Sequence, residues 1–219
     1  MKSRVSTDSH NDMAPKTVGQ YLFDCLKLEG ITEIFGVAGD YNFTLLDTLE
    51  RYNGIKFIEG RNELNSGYAS DGYARIKGIS ALITTFGVGE LSASNPIAGA
   101  NSEHVPIIHI VGSPPEKDQK EHNLMHHTLM DGNFDVFRKM YEQITSYSAV
   151  LTPENAMIEI PAAIRIAKEK KQPSVCLSEV ICCCIGTSRT IIGFATKSSA
   201  TTRYTRCIRT YLLKICLML

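Results

Sequence analysis

Short apolar segments alternate with longer segments of helical spacing between Thr17 and Leu177 of this chain. The segment 106–111 is apolar along nearly its whole length, which is typical of a strand that is buried on both faces. Buried strands that alternate with helices form a parallel sheet with helices on each side. The sequence therefore predicts an α/β fold of the doubly wound parallel-sheet class.

The spacing of the apolar residues and the positions of glycine and proline predict the individual elements. Helices are expected at 17–28, 43–52, 63–76, 91–102 and 153–170, with Pro161 as a kink or opening in the last. Strands are expected at 33–37, 55–58, 81–85, 106–111 and 174–177, with two further elements at 134–141 and 146–151. The segment 112–133 is predicted to be a long loop, and long loops within regular sheets often carry function.

The composition, with 43% hydrophobic and 21% charged residues, is that of a soluble globular protein. No uninterrupted apolar run of about 18 residues, the length of a spanning helix, is present, and we expect neither a membrane nor a nucleic-acid partner. The N-terminus lacks the apolar region of a signal peptide, and Cys25 is the single cysteine before Cys176, so we predict a cytoplasmic protein. Residues 1–15 are polar and aperiodic, which predicts a flexible leader.

Residues 178–219 differ in composition from the rest of the chain. All 23 acidic residues lie at or before Glu179, whereas the remainder is basic and has three consecutive cysteines at 182–184. We interpret 178–219 as a divergent tail that arises from a shifted reading frame or a truncated, spliced gene model. A metal or redox site is an alternative, although three consecutive cysteines cannot all face one tetrahedral ion without strain. A genuine C-terminal extension across the sheet and a basic membrane-surface segment are the other readings.

Polar residues follow the predicted strands at their carboxyl ends, where a doubly wound sheet binds its ligands. Asp40 follows the first strand, Glu63 follows the second, and His126 and His127 lie in the long loop. Each has a simpler interpretation: a helix cap for Asp40, a charge that favours a helix N-terminus for Glu63, and solvated loop residues for the histidines. The turn 87–89 after the third strand is too short for a phosphate-binding loop.

The segments around these residues resemble one known family. It is the N-terminal pyrimidine-binding domain of thiamine diphosphate-dependent 2-oxo acid decarboxylases, in the pyruvate and indolepyruvate decarboxylase branch. The resemblance covers about 16–177, and the double histidine is its most specific element. The matching segments are 35–42 (FGVAGDYN), 62–65 (NELN), 68–75 (YASDGYAR), 85–92 (TFGVGELS), 103–106 (EHVP) and 126–129 (HHTL) with Phe134.

The resemblance implies roles for individual residues. Glu63 would hydrogen-bond N1′ of the cofactor aminopyrimidine and promote the imino form that removes the C2 proton of the thiazolium. Asp40, His126 and His127 would line the substrate side and handle protons after carbon dioxide leaves a 2-oxo acid. The resemblance also assigns three glycines to cofactor binding beside Glu63: Gly39, Gly87 and Gly89.

The resemblance stops before the part of the family that binds the diphosphate. That part holds Mg²⁺ through a Gly-Asp-Gly motif and a later Asn-Asn, and this chain has neither. We therefore expect it to hold only the pyrimidine end of thiamine diphosphate, to have no metal ligands of its own, and to be inactive alone. The alternative function is a non-catalytic interaction module that pairs with itself or with an intact homologue through a surface that the missing domain would bury.

Overall fold

The computed structural model describes residues 16–178. Within them six strands form one sheet in the order β2-β1-β3-β4-β6-β5, and all neighbouring pairs are parallel. The strands are β1 (Glu33–Gly36), β2 (Lys56–Glu59), β3 (Ser80–Thr85), β4 (Ile107–Gly112), β5 (Tyr147–Val150) and β6 (Ser174–Ser178). The helices are α1 (Val18–Leu28), α2 (Phe43–Glu50), α3 (Glu63–Lys77), α4 (Val88–Ser92), α5 (Ser94–Ser102), α6 (Glu116–Lys120), α7 (Val136–Tyr141) and α8 (Ala156–Lys170).

The helices pack in two groups. Helix α1 contacts α2 and α8, whereas α3 contacts α4 and α5. The central strands β3 and β4 are buried at every residue, while the edge strand β2 is largely exposed. The prediction of a doubly wound α/β fold with a buried strand at 106–111 is therefore confirmed.

The strand order places a crevice between the carboxyl ends of β1 and β3. From β1 the chain crosses first to β2 on one side and then to β3 on the other side, so the connections leave these two strands in opposite directions. Such switch points are the ligand sites of doubly wound sheets. The two strands approach closely at Gly36. A Cβ atom there would lie 2.2 Å from the carbonyl oxygen of Ile83, so the approach requires glycine.

One hydrophobic core cluster lies between the sheet and the helices α5 and α7. Its largest side chains come from strands, helices and the turn after β3. Their packing holds that turn against the core. They include Leu82, Phe86, Ile97, Val111, Phe137 and Tyr141.

Three predicted elements differ in detail. The helix predicted at 91–102 is two helices, α4 and α5, because Pro96 has no N–H and cannot continue the hydrogen-bond series of α4. The predicted loop 112–133 contains the short helix α6. Helix α8 runs uninterrupted through Pro161. The predicted leader 1–15 lies outside the described residues, as does the predicted tail 178–219 except for Ser178, which ends β6. None of the described helices is long and apolar enough to cross a bilayer.

Candidate functional site

Asp40 and His126 meet at the rim of the crevice although 86 positions separate them in the chain. Asp40 lies in the turn after β1, and His126 lies in the loop between α6 and α7. The distance from His126 Nε2 to Asp40 Oδ2 is 2.9 Å, and the two side chains are 52% and 57% exposed. A carboxylate at this distance accepts a hydrogen bond from the imidazole and fixes its orientation. The pair is therefore both oriented and accessible to a ligand.

Tyr41 positions the histidine of this pair. Its ring stacks on the His126 ring with centroids 4.9 Å apart, and its hydroxyl lies 3.2 Å from His126 Nδ1. Its backbone N–H donates to Thr85 Oγ1 at 3.3 Å, which ties the turn after β1 to the end of β3. Burial raises the pKa of Tyr41, and Asp40 adds to the effect. Tyr41 was not among the predicted site residues, although an aromatic residue beside Asp40 was a signal for it.

His127 lies against the turn 87–89. Its backbone is left-handed, with φ 62°, and its ring lies 4.7 Å from that of His126 between centroids. Its Nδ1 atom is buried and has no hydrogen-bond partner among the described residues. A Cβ atom at Gly87 would lie 1.7 Å from the carbonyl oxygen of His127, so only glycine permits this approach.

Glu63 is the first residue of α3. Asn62 caps this helix, since its side chain accepts a hydrogen bond from Asn65 N at 2.8 Å. The half-buried carboxylate of Glu63 has no hydrogen-bond or ion-pair partner within residues 16–178. A Cβ atom at Gly89 would lie 3.1 Å from Glu63 Oε1 and 2.9 Å from the Thr85 side chain. The bare Cα of Gly89 therefore lets the turn pack closely beside this unengaged carboxylate.

Gly39 has a structural requirement of its own. A Cβ atom there would lie 2.7 Å from the Thr85 side chain, so the turn after β1 packs directly on the end of β3. The backbone N–H of Gly39 donates to Asn42 Oδ1 at 2.9 Å, and Asn42 Nδ2 donates to Val37 O at 3.0 Å. These bonds fix the turn that carries Asp40.

The site therefore joins the predicted residues into one rim. His127, which contacts the Asp40–His126 pair through the His126 ring, approaches the turn 87–89 at Gly87, and Glu63 approaches it at Gly89. The sequence profile described as "Thiamine pyrophosphate enzyme, N-terminal TPP binding domain" matches residues 16–134, more than half of the chain. The chain belongs to this family. Thiamine pyrophosphate is the cofactor also called thiamine diphosphate.

Three relatives of this thiamine pyrophosphate enzyme domain carry the name "Alpha-keto-acid decarboxylase". The protein of Mycobacterium leprae (strain TN) is 50% identical over 161 residues, and that of Mycobacterium ulcerans (strain Agy99) is 48% identical. The protein of Mycobacterium tuberculosis (strain ATCC 25618 / H37Rv) is 47% identical. Each alignment covers 74% of this chain but 28% or 29% of the relative. The chain thus spans little more than a quarter of the length of these decarboxylases.

The residues present fit one end of the cofactor. The unengaged carboxylate of Glu63 beside the bare Cα of Gly89 suits a flat ring that carries hydrogen-bonding nitrogen atoms. The N–H of Gly87, by contrast, already donates to Glu90 Oε1 at 2.8 Å and is not available to a phosphate. Among residues 16–178 no group of three or more His, Cys, Asp and Glu side chains could hold a metal ion. Within residues 16–178 the rim thus offers a carboxylate to a ring nitrogen, while the N–H of Gly87 is engaged within the protein.

Proposed function

We propose that this chain is the pyrimidine-binding part of a thiamine diphosphate-dependent, non-oxidative 2-oxo acid decarboxylase of the pyruvate and indolepyruvate type. The observation that carries the proposal is the half-buried, unpartnered carboxylate of Glu63 at the N-terminus of α3, beside Gly89. The adjacent histidines of the rim favour the decarboxylase branch. The names of the longer relatives agree with this reaction class.

Glu63 holds a proton at N1′ of the aminopyrimidine in this proposal. The bound cofactor supplies an electron sink for the electrons that remain when the 2-oxo acid loses carbon dioxide. A carboxylate suits Glu63's task because it exchanges a proton with a ring nitrogen at hydrogen-bond distance. Gly89 lets the backbone of the turn come close to the ring, since it carries no Cβ atom, and Gly87 admits the carbonyl oxygen of His127 beside it.

Asp40, His126 and His127 are the proton-handling residues on the substrate side. Asp40 accepts a hydrogen bond from His126, which lies on the exposed side of the rim. His127 has a ring nitrogen without a partner in the described part of the chain. Because imidazole exchanges protons near neutral pH, the two rings can deliver a proton to the product carbon after decarboxylation.

The complete reaction needs more than the rim of residues 16–178. The diphosphate and its Mg²⁺ would be held by a further domain of the kind that the longer relatives have room for. We therefore expect the purified chain to release no carbon dioxide from pyruvate, indolepyruvate or phenylpyruvate when thiamine diphosphate and Mg²⁺ are added. Turnover that Glu63→Gln abolishes would show that the further domain is dispensable.

Binding of the isolated ring tests the pyrimidine site directly. 4-Amino-2-methylpyrimidine titrated into the ¹⁵N-labelled chain should shift the backbone amides of Glu63, Gly89 and Thr85 and leave those of β5 unchanged. Glu63→Gln should abolish these shifts, whereas Glu59→Gln, which changes an exposed acid on β2, should preserve them. An absence of shifts at millimolar ligand would contradict the proposed function.

Exposed apolar side chains favour a second candidate function, an interaction module. Tyr68 and Ile76 on α3 are 56% and 84% exposed, and Leu124 and Leu129 project from the long loop. Surfaces of this kind commonly pack against another protein. Sedimentation of the purified chain at micromolar concentration tests self-association, and co-purification with a full-length decarboxylase tests pairing with a homologue. A monomer that captures no decarboxylase would contradict this function.

A further inference from the structure

Glu90 is a fully buried acid in the first turn of α4. Its Oε1 atom accepts a hydrogen bond from the N–H of Gly87 at 2.8 Å, and its Oε2 atom has no partner within residues 16–178. No Lys, Arg or His side chain in that range forms an ion pair with it. A buried polar atom without a partner destabilises the folded state, because it gives up its hydrogen bonds to water. An apolar side chain at this position would therefore make the fold more stable, if packing were the whole role of Glu90.

The surroundings of Glu90 keep it neutral. Burial raises its pKa to about 8, and the hydrogen bond from Gly87 opposes that rise. Tyr141 of α7 donates its hydroxyl to the carbonyl oxygen of Glu90 at 2.5 Å, and burial, with Glu90 nearby, raises the pKa of this tyrosine well above its ordinary value. A neutral carboxyl group can occupy such a site, and it presents one carbonyl-like oxygen to the turn.

The turn that Glu90 holds contacts both halves of the rim. At one end the Cα of Gly87 packs against the carbonyl oxygen of His127, and at the other end the Cα of Gly89 packs against Glu63 Oε1. Gly87 has a φ of 66° and a ψ of −101°, and its carbonyl oxygen accepts the first helical hydrogen bond of α4, from Leu91 N at 2.8 Å. Its N–H is held by Glu90 alone among the described residues. A shift of this one amide would move the contacts to Glu63 and His127 together.

We propose that Glu90 is a positioning residue of the pyrimidine site, which holds the turn 87–89 through the N–H of Gly87 and so sets the distance between the Glu63 carboxylate and His127. The inference rests on the proposed function in that Glu63 and His127 are the residues whose spacing matters. Glu90 itself touches neither cofactor nor substrate. Glu90 acts on both residues through the backbone of the turn 87–89, which contacts His127 at Gly87 and Glu63 at Gly89.

Two substitutions separate positioning from packing. Glu90→Gln keeps the acceptor oxygen and the shape of the side chain, whereas Glu90→Leu fills the site with an apolar side chain that is one methylene shorter and removes the acceptor. Ser70→Ala serves as a matched control, because it removes a buried hydrogen bond, to Ser80 at 2.8 Å, that does not involve the turn. All variants are compared in the ligand-free full chain by hydrogen exchange of the Gly87 amide and by ¹³C signals of the Glu63 carboxyl and the His127 carbonyl.

The Gly87 amide should exchange roughly 10-fold faster or more in Glu90→Leu, because its hydrogen bond is lost. The Glu63 and His127 signals should shift together in this variant, while Glu90→Gln and Ser70→Ala keep those of the wild type. Unchanged Glu63 and His127 signals in Glu90→Leu would overturn the proposal. If Glu90→Leu does not fold, exchange of the Gly87 amide in the wild type decides. Exchange as slow as that of the Ile83 amide, retained in Glu90→Gln, supports the positioning role. Exchange as fast as that of the amides in the loop between α6 and α7 overturns it.

Binding of 4-amino-2-methylpyrimidine distinguishes failure of this inference from failure of the proposed function. Glu90→Leu should weaken binding of the pyrimidine, because it displaces the Glu63 carboxylate. Glu90→Gln should leave binding unchanged. A wild-type chain that binds no pyrimidine overturns the proposed function, while the ligand-free signals still decide what Glu90 does to the turn. Equal affinity in Glu90→Leu and the wild type would overturn the positioning role.

Discussion

The rim and the core behind it both contain ionisable groups, but they hold them by opposite means. At the rim Asp40 and His126 satisfy each other and are both about half exposed. Behind the turn 87–89 Glu90, His109 and Tyr141 are buried, and none of them has a charged partner among the described residues. Burial drives the buried acid and the buried imidazole to their neutral forms. The exposed pair stays accessible to solvent, whereas the side chains of Glu90 and Tyr141 hydrogen-bond the backbone of Gly87 and of Glu90.

Replacement of Gly87 should produce the largest effect, because this residue joins the two regions. In Gly87→Ala the new Cβ atom would lie 1.7 Å from His127 O, at a φ of 66°. We expect a loss of about 3 kcal/mol or more in the free energy of unfolding, measured by urea denaturation. Gly72→Ala is the control, since nothing lies within 4 Å of its new Cβ atom, and α3 should gain about 0.5–1 kcal/mol. Equal stabilities would show that the loop adapts to the turn.

The buried acid should make the fold less stable as the pH rises. The pKa of Glu90 is about 8 in the fold against an ordinary value of 4.5, so the folded chain holds an extra proton between these values. The free energy of unfolding should therefore fall between pH 4.5 and pH 8, by several kcal/mol at about 1.4 kcal/mol per pH unit.

Glu90→Gln should remove this slope, whereas the exposed substitution Glu59→Gln should retain it. The measurement is a series of urea titrations across this pH range. Parallel profiles for Glu90→Gln and the wild type would contradict a buried, neutral Glu90.

The buried imidazole should act in the acidic range with the opposite sign. Burial lowers the pKa of His109 from 6.5 to about 3, so the folded chain holds it neutral where the unfolded chain takes up a proton. Its contribution is present above pH 6.5 and is lost as the pH falls toward 3. His109→Gln should flatten this part of the thermal-denaturation profile by a few kcal/mol, and exposed His104→Gln should leave it unchanged. A profile that His109→Gln leaves intact would assign acid unfolding to the carboxylates.

The exposed pair should contribute least to stability. Asp40→Asn removes one member of a half-exposed pair, and solvent screening limits the loss to about 0.5 kcal/mol. Thr84→Val, by contrast, removes the partner of the buried His109 Nε2 at 2.9 Å and should cost about 1–3 kcal/mol. Calorimetric unfolding of both variants tests this ranking. A larger loss in Asp40→Asn would mean that the rim also supports the fold.

Local patterns were enough for the sheet and for part of the site. The apolar segment 106–111 predicted a buried parallel strand, and β4 is buried at every residue because helices cover both faces. Glu63 was placed at the start of a helix from sequence, and Asn62 caps α3 at that point. The boundary between α4 and α5 was not predicted. Pro96 lies within an otherwise helical pattern, and it interrupts the hydrogen-bond series of α4 because it has no N–H.

The sequence by itself determined the fold class and the strand ends on which Asp40, Glu63 and the turn 87–89 lie, because the periodicity of apolar residues is a local property. Only the tertiary structure decided that Asp40 contacts His126 from 86 positions away and that Tyr41 stacks on this histidine. It also decided the burial of Glu90, an acid in a first helical turn that local rules place in solvent. Its burial comes from α7, 51 positions further along the chain, whose Tyr141 closes over the carbonyl of Glu90. Burial depends on which distant elements pack together, and no local pattern carries that information.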